Sequence, residues 1–454
     1  MGQQMNFQVV LLAGGVSKQL FPLVSKELPK ALLPLGNKPL LSYTLEQLES
    51  SNLKSIIVVV AGEDVAEQIR AWISGAYDDR LSVESVTVAE DAGTADALRA
   101  VASRLTAEHI LVISGDLVCD IPLGAIAATH CRKKASMTAL LCALQVAGTS
   151  DGSSGSTGKE KAKQQSSNDV IGLDPSHEFL TFMASAARID KQLQIQRSIV
   201  RAFGRVELHT DLVDDHLYVF KRTILQEVLE GCPGIRSIKE ELVPYLIRSQ
   251  LQRSNPTIQS KPLTENGGEQ FERKIAPNQL VKSPLEQASL LGAQANNMKC
   301  CAYIVNKDRY CARVNSVQSF IDVNQDVAGE RAVHLTGYDI SRSNNVIHPT
   351  SKLGYKSTVG PHCMLGEGSE MGDKCSIKRS VVGRHCRIGS GVKIMNSVVM
   401  DHVTIDDGCI VQGSVICNNA HLQERVTLKD CQVGAAYIVS GEHQGEALAK
   451  RDKN

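Results

Sequence analysis

Several short groups of residues in this chain are of types that handle phosphate. Gly14-Gly15 follows the apolar run FQVVLL at residues 7–12. A buried strand ending in two residues without Cβ atoms lets backbone N–H groups approach an anion, although a plain tight turn uses the same pair. Lys30 is a single cation held between Pro29 and Pro34. Asp116 stands with Gly115 at the tip of the run HILVIS, residues 109–114. A carboxylate there can hold a divalent cation that bridges phosphate oxygens; a helix-capping or loop Asp is the alternative. Gly93-Thr94-Ala95 opens an amphipathic segment that runs to Leu105.

These groups need elements to bring them together, and the apolar pattern supplies them. Runs at 7–12, 53–61, 81–88 and 109–114 read as buried strands, with helical spacing at 39–50 and 65–73 between them. Strand alternating with helix predicts an α/β, doubly wound, mostly parallel sheet with its ligand at the carboxyl ends of the strands. A helix from Ile121 leads to a strand near 137–146, and VDDHLYVF at 213–220 is a further strand. Residues 237–249 read as a helix bent at Pro244; a strand at 300–305 and a helix at 316–327 close a first domain assigned to residues 1–335. Two polar stretches, 148–168 and 251–298, are expected to be flexible insertions.

The stretch LLAGGVSKQLFPLVSKELPKALLP, residues 11–34, resembles the signature of the sugar-phosphate nucleotidyltransferases. Gly14, Gly15, Leu20, Pro22, Leu23, Pro29, Lys30, Leu32, Leu33 and Pro34 match it, whereas Ser17, Lys18 and Gln19 replace its third Gly, its Thr and its Arg. The resemblance implies that the family's Arg holds a nucleoside triphosphate, that the Gly93 segment admits a base edge, and that Asp116 carries Mg²⁺. Gln19 donates hydrogen bonds but has no charge. Losing one transition-state donor typically costs roughly 3 kcal/mol, or 100-fold to 1,000-fold in rate, and the adjacent Lys18 lacks arginine's planar fork. Gly14, Gly15, Gln19, Lys30, Gly93 and Asp116 are therefore expected to form a vestigial nucleotide cradle with no catalytic residue, no metal and no cofactor. The family also needs a second carboxylate, for which Asp214, Asp215 and Glu240 are candidates. Phe182-Met183-Ala184 stands where family enzymes carry Glu-Lys-Pro, and Asp214 and His216 replace the Asn and Gly that read the sugar.

From Ile347 a different period takes over. Apolar residues recur at 347, 353, 359, 365, 371 and 377, then at 382, 388, 394, 399, 405, 411, 416, 422, 428, 433 and 439. Ser380-Val381-Val382, Ser397-Val398-Val399 and Ser414-Val415-Ile416 show the later repeat directly. Hexapeptide periodicity predicts a parallel β-helix of triangular coils over 336–441, with one residue trimmed at a corner of later coils and a polar tail at 442–454. His362, His385, His402 and His421 fall at outward positions without a clear partner, as ordinary surface histidines do.

A nucleotidyltransferase-like domain followed by such a prism resembles sugar pyrophosphorylases, their regulatory subunits, and the gamma and epsilon subunits of the guanine-nucleotide exchange factor for eukaryotic translation initiation factor 2, a resemblance that implies a left-handed β-helix. Residues 212–222, 237–248, 376–383 (SIKRSVVG) and 412–420 (QGSVICNNA) most resemble the gamma-subunit family. That resemblance implies a non-catalytic, cytosolic subunit that pairs with epsilon and other subunits and promotes GDP-to-GTP exchange on initiation factor 2. The alternative is an active or regulatory nucleotidyltransferase of the GDP-mannose pyrophosphorylase type.

Composition agrees with a cytosolic protein. Basic and acidic residues balance at 49 each, so nothing in the overall charge favours direct nucleic-acid or membrane binding. Thirteen cysteines, with no Cys-x-x-Cys, read as reduced buried residues and not as a disulfide framework or zinc site. The N-terminus lacks a signal-peptide core, Asn6 breaks a myristoylation motif, and the apolar run at 137–147 is too short to span a bilayer.

Overall fold

The computed structural model describes residues 6–15, 18–143, 169–185, 197–250, 298–306 and 308–449. The expected insertion at 148–168, and that at 251–298 except for Met298, lie outside these residues. Seven strands form the main sheet in the spatial order Cys300–Ile304, Met137–Ala143, Leu212–Lys221, His109–Ser114, Phe7–Leu12, Ser55–Ala61 and Ser82–Val88. All neighbours are parallel except Leu212–Lys221, which runs antiparallel to the strands on both sides of it.

Alternate residues of each strand bury into opposite layers, which is why the strand sequences are apolar throughout. Val10, Val112 and Tyr218 pack with the helices Thr94–Val101, Arg222–Gly231 and Val243–Ser249; Val9, Leu11 and Leu111 pack with Leu40–Ser50, Glu63–Tyr77 and Leu123–Lys133. The bend expected at Pro244 falls where a wide turn, Ile238–Leu242, passes into the helix Val243–Ser249. Proline in a first helical turn gives up no internal hydrogen bond. Chain order reverses beside Phe7–Leu12, so its carboxyl end and that of His109–Ser114 open side by side.

The prism consists of three stacks of short parallel strands, from Val346–Ile347 to Ala447–Leu448. Its register links Leu365, Val382, Val399 and Ile416 in one column, as the repeat requires. Leu353, on the expected inward path, is 46% exposed because its strand is the last of its stack. At the other end the polar tail expected from residue 442 is corrected: Glu442–Gln444 and Ala447–Leu448 add two further strands. Backbone N–H and C=O groups of the preceding coil template pairing whatever the side chains are, and a count of aliphatic positions misses that.

Ser380, Ser397 and Ser414 are fully buried at a corner, and each hydroxyl accepts from the next coil, at 3.1, 3.2 and 3.0 Å to the N–H groups of Ser397, Ser414 and Cys431. The valine pairs after these serines serve two cores. Val382, Val399 and Ile416 fill the prism, while Val381, Val398 and Val415 face outward into a core shared with Leu20, Leu35, Tyr43 and Phe320 of the α/β domain. Asn37 pins the same junction, donating to the Val382 carbonyl (3.2 Å) and accepting from Arg384 (2.8 Å).

His362, His385 and His402 occupy left-handed turns at φ of 56°, 51° and 59°. His385 stacks on His402 at 5.3 Å between centroids. His421, expected to lack a partner, bonds Asp406 at 2.9 Å. The Asp lies on the neighbouring coil, a proximity that linear spacing hides.

Candidate functional site

The loop after Phe7–Leu12 passes so close to the adjacent strand that a Cβ on Gly14 would sit 2.6 Å from the Ala61 nitrogen, and Gly15 adopts φ +119°. Both glycines are exposed, as are Lys18 and Gln19 on the one-turn helix Lys18–Leu20 that Leu20 anchors in the core. Gly115 meets this loop from the neighbouring strand, donating to the Leu12 carbonyl at 2.8 Å. Asp116 is thereby fixed beside the cradle and is only 4% exposed.

The carboxylate of Asp116 is already fully occupied. Oδ1 accepts from Ser114 Oγ (2.6 Å) and Arg313 Nε (3.0 Å); Oδ2 accepts from Lys30 Nζ (2.5 Å) and Arg313 Nη2 (2.8 Å). A carboxylate offers about four lone-pair positions, so this arrangement leaves none for a cation. Burial would push the Asp116 carboxyl up, but Arg313 first and Lys30 next hold it well below the usual carboxylate range. Burial lowers the Lys30 ammonium, partly offset by the same Asp116. Two cations facing one carboxylate leave the spot positive, the opposite of a divalent-metal seat.

Two of the candidate second carboxylates, Asp214 and Asp215, are engaged by other partners. Asp214 accepts from the Tyr218 hydroxyl and from the His216 N–H (3.0 Å), and burial pushes its carboxyl up to about 6 in spite of Lys239. Asp215 accepts from Cys311 at 3.3 Å, and Glu240 follows Ser237 in the wide turn, its N–H donating to Ser237 Oγ at 3.2 Å. The register of Leu212–Lys221 against Met137–Ala143 shifts between Asp214 and Tyr218, with His216 at φ +57° in the bulge. A glycine-favouring backbone, more than room for a ring, accounts for Gly at this place in the resembled motif. Burial pushes the His216 imidazole well below its ordinary range, and Arg313 and Lys239 add to it. Asp169 pairs with Lys239 at 2.8 Å beside Asp214.

Gly93 has a reason of its own within the protein. A Cβ there would collide with the Arg236 carbonyl, to which Ala95 N–H also donates at 2.8 Å. Asp96 bonds Arg99 (2.5 Å) and Arg236 (3.2 Å), tying this segment together. The structure thus gathers Gly14, Gly15, Lys30 and Asp116 at one crevice, while Gly93 belongs to this adjoining network.

Arg313 is the residue of this site that sequence reasoning missed. It ends the three-residue strand Cys311–Arg313, which pairs antiparallel with Leu117–Cys119 just after Asp116. The two partners are 197 residues apart in sequence, and the only local signal is a charge closing a short apolar run.

Comparison with known proteins places both halves. Residues 8–151 match the nucleotidyl transferase family model, and residues 342–444 match the model of the LbH domain of the EIF2B epsilon subunit. The chain is 32% identical to the translation initiation factor eIF2B subunit gamma of Dictyostelium discoideum over 392 residues, covering 83% of this chain and 87% of that protein. The chain belongs to the eIF2B gamma-subunit family. The Schizosaccharomyces pombe gamma subunit is 28% identical, over 82% of this chain and 74% of that protein. An epsilon subunit from the same yeast is 31% identical across 28% of this chain and 19% of its own length. This gamma-subunit family therefore carries a nucleotidyltransferase-type fold joined to a left-handed β-helix. Among the described residues, no helix is long and apolar enough to cross a membrane.

Proposed function

We propose that this chain is a non-catalytic subunit of an eIF2B-type guanine-nucleotide exchange factor. In this reading it works in the cytosol, pairs with an epsilon-type subunit, and helps the complex replace GDP by GTP on translation initiation factor 2. Gly14, Gly15, Gln19, Lys30 and Asp116, with the Gly93 segment alongside, then form a nucleotide cradle that no longer turns over. The observation that carries the loss of catalysis is the fourfold occupation of Asp116 by Ser114, Lys30 and Arg313. Phosphoryl transfer relies on a bound cation and on donors fixed where charge develops. Here the carboxylate is neutralised by the protein's own cations, and Gln19 brings no charge to the loop. The shared core between prism and α/β domain supports a scaffold role, because it joins the two into one body with further faces of the prism left outside.

Two assays test this. The chain alone should release no GDP from initiation factor 2, and it should raise the release rate when added to an epsilon-type subunit; exchange by the chain alone would overturn the assignment. Incubation with GTP, mannose 1-phosphate and Mg²⁺ should yield no pyrophosphate. Turnover there would favour the working pyrophosphorylase instead.

A further inference from the structure

We propose that Cys142, Asp215 and Cys311, completed by Cys119, form a buried structural site for a thiophilic divalent cation, zinc first. The ligand atoms of Cys142, Asp215 and Cys311 all lie within 4.8 Å of one another, and all three residues are buried. Cys119 is the cross-strand partner of Cys311 and is itself buried. Its thiol donates to Gln47 Oε1 at 3.2 Å, a contact that metal binding would exchange for coordination.

Each ligand is delivered by a different strand. Cys142 comes from Met137–Ala143, and Cys119 and Cys311 from the paired strands Leu117–Cys119 and Cys311–Arg313. Asp215 comes from the bulge in Leu212–Lys221, which is the kind of irregularity that re-aims a side chain across a sheet. Such an assembly has no Cys-x-x-Cys signature, so the sequence reading of inert reduced thiols could not have found it.

The carboxylate of Asp215 makes this more than a cluster of core cysteines. It is 7% exposed, it accepts from the Cys311 thiol at 3.3 Å, and it lies within 4.8 Å of Cys142 Sγ. Thiols are weak donors, and a buried carboxylate whose hydrogen-bond donor among the described residues is a thiol is costly. A tetrahedral zinc shell with Zn–S near 2.3 Å and Zn–O near 2.1 Å separates its ligand atoms by roughly 3.5–3.8 Å, so the Cys142, Asp215 and Cys311 ligand atoms, within 4.8 Å of one another, would draw together on binding. Coordination would displace the thiol protons. The guanidinium of Arg313, two residues beyond Cys311 and electrostatically coupled to Asp215, sets positive charge beside the resulting anionic shell. The cation would staple the short strand pair to the main sheet, and that pair is what carries Arg313 to Asp116. This site stands independently of the proposed role in nucleotide exchange.

The full-length chain, produced in zinc-supplemented medium and desalted into metal-free buffer, should retain about one zinc per chain by elemental analysis. Cys142→Ser with Cys311→Ser should abolish retention, and Cys131→Ser, outside the cluster, should leave it intact. Because the double variant risks misfolding, Co²⁺ is also added to metal-stripped wild type, where a thiolate-to-cobalt charge-transfer band and a metal-dependent rise in melting temperature are expected. Purified wild type without zinc and without a cobalt–thiolate band would overturn the proposal, as would full retention of zinc by the double variant.

Discussion

Replacing Arg313 with methionine should be among the most damaging single changes available in the α/β domain. The substitution keeps an unbranched apolar stem but removes two hydrogen bonds and a full charge from Asp116, which is 4% exposed. Lys30 and Ser114 remain, so the carboxylate is not left bare. Breaking a buried pair by removing one partner typically costs about 3–5 kcal/mol, and the residual contacts put the expectation near 3 kcal/mol. At about 2–4 °C per kcal/mol for a domain of this size, the melting transition should fall by roughly 6–12 °C. Asp116→Asn should cost a similar amount, since it leaves Arg313 and Lys30 facing each other. The diagnostic is the double-mutant cycle by calorimetry or urea unfolding: Asp116→Asn with Arg313→Met should cost less than the sum of the single variants by about 2–3 kcal/mol. Additivity within about 0.5 kcal/mol would refute the coupling, and with it the claim that Arg313 fills the place of a metal.

Three further outcomes are expected. His130 is fully buried, with Nδ1 2.9 Å from Thr138 Oγ1 and Nε2 without a partner among the described residues, and burial pushes its imidazole down to about 3. The native state keeps it neutral while the unfolded chain protonates below about 6.5, so stability present above that pH is lost as pH falls, by about 2 kcal/mol at pH 5; urea midpoints at pH 7 and 5 should show that His130→Gln shrinks this loss. Ser397→Ala removes the hydroxyl that accepts from Ser414 N–H at 3.2 Å and donates to the Met395 carbonyl at 2.7 Å. Thermal unfolding of the prism should report a loss of about 1–3 kcal/mol, and an unchanged transition would show the serine ladder to be incidental. Val398→Asp places a carboxylate in the core shared by the two domains, where Val398 is 2% exposed. Limited proteolysis should then cut between domains that resist in the wild type, while the far-ultraviolet signal of the prism persists; unaltered resistance would mean that the interface tolerates charge.

The sequence by itself determined the two architectures. A run such as FQVVLL, six residues long and closely followed by two glycines, reads as a strand buried on both faces, and an apolar residue at every fifth or sixth place reads as a triangular coil, because local periodicity dictates which side chains share a face. It also marked Gly14, Gly15, Lys30 and Asp116, whose residue types are demanded by backbone approach and charge. What only the tertiary structure decided are relations between distant segments. Arg313 on Asp116, the bulge that turns Asp215 toward Cys142 and Cys311, the second valine core beneath the prism and the Asp406 partner of His421 all join residues that no spacing rule links. Side-chain pairing across strands depends on register and bulges, which are settled by the packing of the whole sheet. The chemistry of the crevice follows the same division. Its ligand-approach geometry is written locally, whereas the charge that closes it arrives from the far end of the domain.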